Sequence, residues 1–210
     1  MNRHILFKVI LTIACSILWL NVPQNFSYNI ALAQNPAASE NPLKKLSVRE
    51  ARKLDRGQVV LKGEKGNYLG QVITSGNINT AWEVLTDYDN FDRFLPNISE
   101  SKIIEENGDR ILFEQVNVVD LWLFQEQFTI QIEATKTKPN KVDFKLVDGE
   151  LKKLLGRWTI EEVEPGKILI GHAVEVEPGS DTEKPFFYGI YESSLEETLK
   201  AIAIEITKRS

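Results

Sequence analysis

Two titratable side chains interrupt otherwise apolar strand patterns and could carry chemistry. Along the segment 122–133 the even positions are aromatic or aliphatic except for Glu126, and along 168–177 they are aliphatic except for His172. Because successive side chains of a strand point to opposite faces, both residues are predicted on the buried side of a sheet. A carboxylate and an imidazole inside a cavity could transfer protons, so Glu126 and His172 are the candidate catalytic residues, and they could also pair with each other.

Both residues also have a structural interpretation. A β-bulge between Phe124 and Phe128 would turn Glu126 outward, and a single histidine in a strand can be a hydrogen-bonded core or edge residue. The sequence holds two histidines, His4 and His172, and one cysteine, Cys15, and both His4 and Cys15 lie in an N-terminal segment that is expected to be cleaved. Because neither a multi-histidine site nor a thiolate site can be built from these residues, we expect no metal and no cofactor. Motifs for phosphate loops, nucleophile elbows and zinc peptidases are missing from the sequence, so an enzyme is not favoured.

The start of the chain has the three-part layout of a secretory signal peptide. Basic residues precede an apolar run at 9–20, and a small-residue triplet follows at 31–33. We therefore expect residues 1–33 to be a signal peptide, residues 34–46 a flexible linker and residues 47–210 one domain. The expected location is a periplasm, a lumen or the extracellular space. An uncleaved membrane anchor is the alternative interpretation of the same segment.

The charge balance excludes some partner classes. The chain has 25 basic and 30 acidic residues and a formal net charge of −5, with lysines and arginines scattered among carboxylates. Such a surface disfavours nucleic acid as a partner, and it disfavours an anionic membrane face. It remains compatible with an uncharged ligand such as a neutral lipid or a quinone.

The hydrophobic pattern predicts an α+β domain. Ser47 and Glu50 form a capping-box pattern that begins a short helix. A second short helix is expected near residue 81, with Asn79 or Thr80 as its N-cap. Runs of β-branched and aromatic residues, separated by turn residues, predict an antiparallel sheet of six or seven strands. The segment 187–208 places its apolar side chains on one stripe, which is typical of a long amphipathic helix.

Residues 81–98 resemble a segment of a known superfamily. They resemble the first helical segment of START-like, or SRPBCC, proteins, in the branch of polyketide cyclase/dehydrase-like and coenzyme Q-binding proteins. The matching residues are Trp82, Val84, Leu85, Thr86, Asp87, Tyr88, Phe91, Phe94, Leu95 and Pro96. The resemblance implies a helix-grip fold, in which a curved antiparallel sheet wraps around a long C-terminal helix and two short helices lie near the start.

The resemblance also implies a pocket for a lipid, an isoprenoid quinone or a polycyclic compound between the sheet and the C-terminal helix. One helix cannot cover the whole concave face of such a sheet, so a ligand or large side chains must fill the remainder. The expected ligand-binding residues are Trp82, Phe94, Phe124, Glu126, Phe128, Trp158, His172, Tyr191 and Leu195.

The expected function is that of an exported binding protein for a hydrophobic small molecule. Ligand exchange would involve transient contact with a membrane, and the sequence identifies no protein partner. One alternative is a cyclase or dehydratase that uses Glu126 or His172 for proton transfer. Another is a protein-binding module whose interior is filled by its own side chains.

Overall fold

The computed structural model describes residues 46–121, 124–180 and 184–210. The chain divides into two units, Met1–Glu40 and Asn41–Ser210, and the described residues belong to the second unit. The predicted signal peptide and nearly all of the predicted linker lie outside the described residues. The domain boundaries at residues 33 and 46 therefore stay predictions.

Within the described residues the chain forms three α-helices, one 3₁₀ helix and eight strands. In chain order they are α1 Val48–Asp55, β1 Val60–Glu64, β2 Asn67–Ser75, α2 Ile78–Leu85, the 3₁₀ helix Tyr88–Arg93, β3 Ile98–Asn107, β4 Arg110–Leu121, β5 Phe124–Thr137, β6 Lys141–Gly149, β7 Leu151–Glu164, β8 Lys167–Pro178 and α3 Lys184–Arg209. This is a curved, open antiparallel sheet with a C-terminal helix, so the predicted helix-grip α+β fold is confirmed.

The predicted number of strands, six or seven, is wrong. The sheet has eight strands in the order β1-β2-β8-β7-β6-β5-β4-β3. Its two edge strands, β1 and β3, bury few of their side chains. Each edge strand pairs with a neighbour on one side only, so most of its side chains stay exposed.

Helices α1 and α2 each begin at a side chain that caps their first amides. The capping box of α1 is confirmed, because Glu50 Oε2 accepts a hydrogen bond from the Ser47 amide at 2.7 Å and Ser47 Oγ accepts one from the Glu50 amide at 3.3 Å. For α2 the predicted N-cap, Asn79 or Thr80, is wrong. Asn77 takes this role, and its Oδ1 accepts from the Thr80 amide at 3.0 Å. Asn77 has an extended backbone, as N-cap residues require.

The C-terminal helix α3 packs mainly on β2, near one end of the sheet, and it also contacts α2 and β8. Its closest approach is at Gly70 of β2, where an added Cβ would lie 2.4 Å from Cδ1 of Leu199. Leu199 is fully buried. Since α3 covers this end of the sheet, it leaves the concave face of the central strands uncovered. Among the described helices, none is both long and apolar enough to cross a membrane.

The predicted strand faces agree with the structure where side chains are described. On β8 the even positions are buried from Ile168 to Val176, and His172 is buried with them. On β5, Ile130 and Ile132 are buried on the predicted face. One residue of the opposite face of β8, Leu169, is also buried, because it packs with Leu54 of α1 in a second small core.

Candidate ligand-binding cavity

A cavity of about 970 Å³ opens between the concave face of the sheet, the 3₁₀ helix and α3. Aliphatic and aromatic side chains form most of its wall, with contributions from the inward faces of β4, β5, β6 and β7. Small-molecule sites occupy roughly 300–1,000 Å³, so this volume suits a large organic ligand. The alternative of an interior filled by the protein's own side chains is wrong.

The structure places most of the predicted binding residues around this cavity. Of the predicted residues, six line the cavity: Glu126, Phe128, Trp158, His172, Tyr191 and Leu195. Trp82 is buried in the main core and contributes nothing to the cavity wall. Phe94 is also absent from the wall, and the side chain of Phe124 lies outside the described residues. The role of the lining residues in binding stays a prediction.

Phe94 packs against an aromatic and a cationic neighbour and does not line the cavity. Its ring packs edge-on against Phe91, with centroids 5.7 Å apart. The guanidinium of Arg209 lies 5.2 Å from the Phe94 centroid, and Arg209 also forms an ion pair with Asp87 at 2.8 Å. Phe94 therefore helps to attach the end of α3 to the segment after α2.

His172 is buried against two aromatic rings. Its ring centroid lies 3.7 Å from that of Trp158, which is opposite it on β7, and 5.5 Å from that of Phe144 on β6. Between them in the sheet is Gly156, where an added Cβ would lie 2.5 Å from the Phe144 ring. The absence of a side chain at Gly156 thus lets Phe144 lie across β7 toward His172.

The electrostatic state of His172 follows from this burial. Only 4% of the residue is exposed, and Nδ1 has no hydrogen-bond partner among the described residues. Burial disfavours the charged imidazolium and lowers the pKa of His172 to about 3. The ring is consequently neutral at physiological pH.

Glu126 lies at the rim of the cavity and is exposed. The pairing of β4 with β5 is continuous here, with Val119 opposite Glu126, so the predicted bulge between Phe124 and Phe128 is not formed in this ladder. Within the described part of the chain, Glu126 makes no ion pair with His172, and burial alone shifts the pKa of that histidine. Glu126 is thus a solvated carboxylate at the entrance.

Sequence reasoning missed several polar residues that line the cavity, among them Tyr88 of the 3₁₀ helix and Gln115 and Asn117 of β4. We call these three residues the polar stripe. Gln115 is opposite Ile130 in β5, and Asn117 is opposite Phe128. The stripe thus interrupts an apolar wall.

Two atoms of the polar stripe are buried without hydrogen bonds. They are the Tyr88 hydroxyl and Asn117 Nδ2, which have no partner among the described residues. The Tyr88 ring stacks on Phe113 with centroids 4.5 Å apart, and burial raises the pKa of its phenol. Tyr88 is consequently a neutral hydroxyl that can donate a hydrogen bond.

The described wall of the cavity carries very little charge. Among the described lining residues none is Lys or Arg, and the two carboxylates, Glu126 and Glu150, are both exposed. Within residues 46–121, 124–180 and 184–210, no group of His, Cys, Asp and Glu side chains is arranged to hold a metal ion. The wall therefore suits an apolar ligand that is held by packing and by a few neutral polar groups.

The fold and the cavity together define a START-like helix-grip protein. Residues 76–201 match the family model described as polyketide cyclase/dehydrase and lipid transport. The chain belongs to this family, within the SRPBCC superfamily. It is accordingly a hydrophobic-ligand-binding or cyclase/dehydrase-type protein.

Solved structures with similar folds come from several bacteria. A START superfamily protein from Mycobacterium smegmatis is 16% identical, with a TM-score of 0.60 over 73% of this chain and 100% of its own. The Zhui aromatase/cyclase from Streptomyces is 14% identical, with a TM-score of 0.57 over 72% of this chain and 96% of its own. A STAR-related lipid transfer protein from Xanthomonas axonopodis is 14% identical, with a TM-score of 0.58 over 70% of this chain and 92% of its own.

These identities are low, and the similarity to the solved structures establishes the fold alone. No curated protein sequence matches the chain.

Proposed function

We propose that the protein is an exported carrier that holds a hydrophobic small molecule between its sheet and α3. The ligand would be a lipid, an isoprenoid quinone or a polycyclic compound. The observation that carries the proposal is the combination of a cavity of about 970 Å³ with buried, unpaired polar atoms on the residues that line it. Leaving such an atom unpaired costs about 1–3 kcal/mol. A ligand with one or two polar groups would relieve that cost by pairing with these residues.

Binding would depend mainly on apolar burial. Phe128, Trp158 and Leu195 all contribute to the wall of the cavity. Burial of apolar ligand surface contributes about 25 cal/mol per Å², before the costs of ordering the ligand are subtracted. The neutral polar side chains would then set the orientation of the ligand.

The titration state of His172 favours a carrier over an enzyme. With a pKa of about 3, His172 lacks the acidic proton of an imidazolium at neutral pH, and its neutral ring is a weak base. An effective general acid or base has a pKa near the working pH. The other candidate, Glu126, is exposed at the rim and makes no ion pair with His172 within the described part of the chain. The cyclase or dehydratase considered from the sequence would use one of these two residues for proton transfer.

Export and membrane contact belong to the same proposal. Export is supported by the signal-peptide layout of residues 1–33, which lie outside the described residues. Ligand exchange at a membrane is supported by Phe186, which lines the cavity at the beginning of α3 and is 77% exposed. A large apolar side chain at a cavity rim can enter the interfacial layer of a bilayer.

The test is to identify what the protein carries. The full chain is purified from its native host, and an organic extract is analysed by mass spectrometry. A carrier should release a hydrophobic compound in stoichiometric amount. Ala134→Phe should abolish its recovery, because Ala134 is buried and lines the cavity.

The matched control is Ala173→Phe, which adds the same ring on the exposed face of β8 and should leave recovery unchanged. Equal recovery from both variants, or an empty extract from the wild type, would contradict the proposal.

A second experiment separates a carrier from an enzyme. The double substitution Glu126→Gln and His172→Phe removes both candidate proton-transfer groups and keeps their approximate size. A carrier should retain the extractable compound. Recovery of an unprocessed precursor from the double variant, in place of the wild-type compound, would instead establish catalysis.

A further inference from the structure

The charge of the cavity wall limits which head group a ligand can have. The described lining contains no Lys or Arg, and His172 is neutral at physiological pH. An ionised carboxylate or phosphate inside this cavity would lose its hydration without gaining a cation. The wall therefore discriminates against anionic lipids, including free fatty acids.

The polar stripe provides hydrogen-bond donors. Tyr88 has a neutral hydroxyl, and Gln115 and Asn117 each have an amide NH₂ group. The Tyr88 hydroxyl and Asn117 Nδ2 are both buried and have no partner among the described residues. Groups of this kind are best paired by an acceptor, and an uncharged acceptor such as a carbonyl oxygen matches the neutral wall.

The backbone of Tyr88 lies beside the strand pair that carries the other two residues of the stripe. The Tyr88 carbonyl accepts a hydrogen bond from Ser101 Oγ at 2.6 Å, and Ser101 is opposite Gln115 in the β3–β4 ladder. Asn117 is two residues further along the same face of β4, roughly 7 Å from Gln115. A single polar edge of a ligand could therefore reach the stripe, while its apolar surface contacts β5 to β7.

We infer that the ligand of this cavity is an uncharged molecule with a carbonyl-type oxygen, which accepts hydrogen bonds from Tyr88 and Asn117. This inference rests on the proposed carrier function and narrows its ligand class. Quinones, ketones and esters satisfy it, whereas free fatty acids and hydrocarbons without oxygen do not.

Three probes with the same tricyclic skeleton test the inference. They are 9,10-anthraquinone, which has two carbonyls, anthracene, which has none, and anthracene-2-carboxylate, which is anionic at pH 7. Their dissociation constants for the full chain are measured by displacement of the neutral dye Nile red. We expect anthracene-2-carboxylate to bind more weakly than anthraquinone, because its charge has no partner in the cavity.

Variants of the polar stripe then test whether its residues cause the preference for a ligand with a carbonyl. The preference is the Kd of anthracene divided by the Kd of anthraquinone. Tyr88→Phe and Asn117→Leu should each lower it by roughly three- to tenfold, the equivalent of one hydrogen bond. Tyr88→Phe removes only a hydroxyl, so it tests the inference even where Asn117→Leu impairs folding. Tyr68→Phe is the matched control, because Tyr68 is buried outside the cavity wall. Removal of its hydroxyl should leave the preference unchanged.

The possible failures are distinguishable. If anthracene-2-carboxylate binds most tightly, or if Tyr88→Phe leaves the preference unchanged, the ligand class is wrong while the cavity still functions as a binding site. If neither Nile red nor any of the three probes binds, the proposed carrier function itself is overturned.

Discussion

The protein should lose stability when the pH falls from 7 to 5, and replacement of His172 by Phe should prevent most of that loss. In the unfolded chain a histidine has a pKa near 6.5. In the folded protein, burial lowers the pKa of His172 to about 3. Between these two values only the unfolded chain binds the proton, so a fall in pH favours unfolding. The contribution of His172 to the free energy of unfolding is fully present above about pH 6.5 and is lost as the pH falls toward 3.

The size of the effect follows from the two pKa values. Each pH unit between them is worth about 1.4 kcal/mol. Unfolding at pH 5 should be easier than at pH 7 by about 2 kcal/mol from His172 alone. Carboxylates with lowered pKa values, such as Glu114, Glu133 and Glu205, lose their contributions mainly below their ordinary value of 4.5. Their effect between pH 7 and pH 5 is small and is common to both proteins.

Urea unfolding of the wild type and of His172→Phe, each at pH 7 and pH 5, measures this difference. Phe is a suitable replacement because it can keep the ring contacts with Trp158 and Phe144 and it cannot titrate. A change in stability at pH 7 does not affect the test, which compares the two pH values within each protein. If both proteins lose the same stability between pH 7 and pH 5, His172 is not a buried neutral imidazole and the argument against its catalytic role fails.

Three further substitutions test how the sheet and its helices are held together, each by thermal unfolding with circular dichroism. Gly70→Ala should destabilise the protein by about 1–3 kcal/mol, because its Cβ would lie 2.4 Å from Leu199; an unchanged melting temperature would contradict the close approach of α3. Leu199→Ala should cost about 2–5 kcal/mol through the cavity that it leaves, and it should reduce the cost of Gly70→Ala in the double variant. Asn77→Ala should cost about 1 kcal/mol as the N-cap of α2 is lost, whereas Asn79→Ala, at a predicted N-cap that is not used, should cost less.

The fold was predictable because its main elements have strong periodic patterns. The even positions of β8 are all apolar apart from His172, and the whole set is buried. The capping box at Ser47 also forms as its sequence pattern predicts. Runs of β-branched and apolar residues at 58–62 and 101–106 also predict the edge strands β1 and β3, although a strand that is paired on one side only can expose most of its side chains.

The residues that line the cavity were only partly predictable, because burial does not distinguish a core residue from a cavity residue. Trp82 and Trp158 both satisfy an aromatic pattern, yet only Trp158 lines the cavity. The difference arises from tertiary packing, since Trp82 is on α2, which packs against β7 and α3. No local pattern contains this information.

The polar stripe did have a signal in the sequence, and its physical basis also supports its role. In β4 the inward positions Ile111 and Phe113 are followed by Gln115 and Asn117, while the outward positions 116 and 118 are both valines, so hydrophobicity alone suggests that the strand reverses its faces. A strand can reverse its faces only through a bulge, and the β4–β5 register runs without a shift from Arg110 to Leu121. The two amides must therefore lie on the inward face, although the valines would be less costly there. An interior that served only for packing would gain stability from apolar residues at both positions, so the two amides support the proposed ligand site.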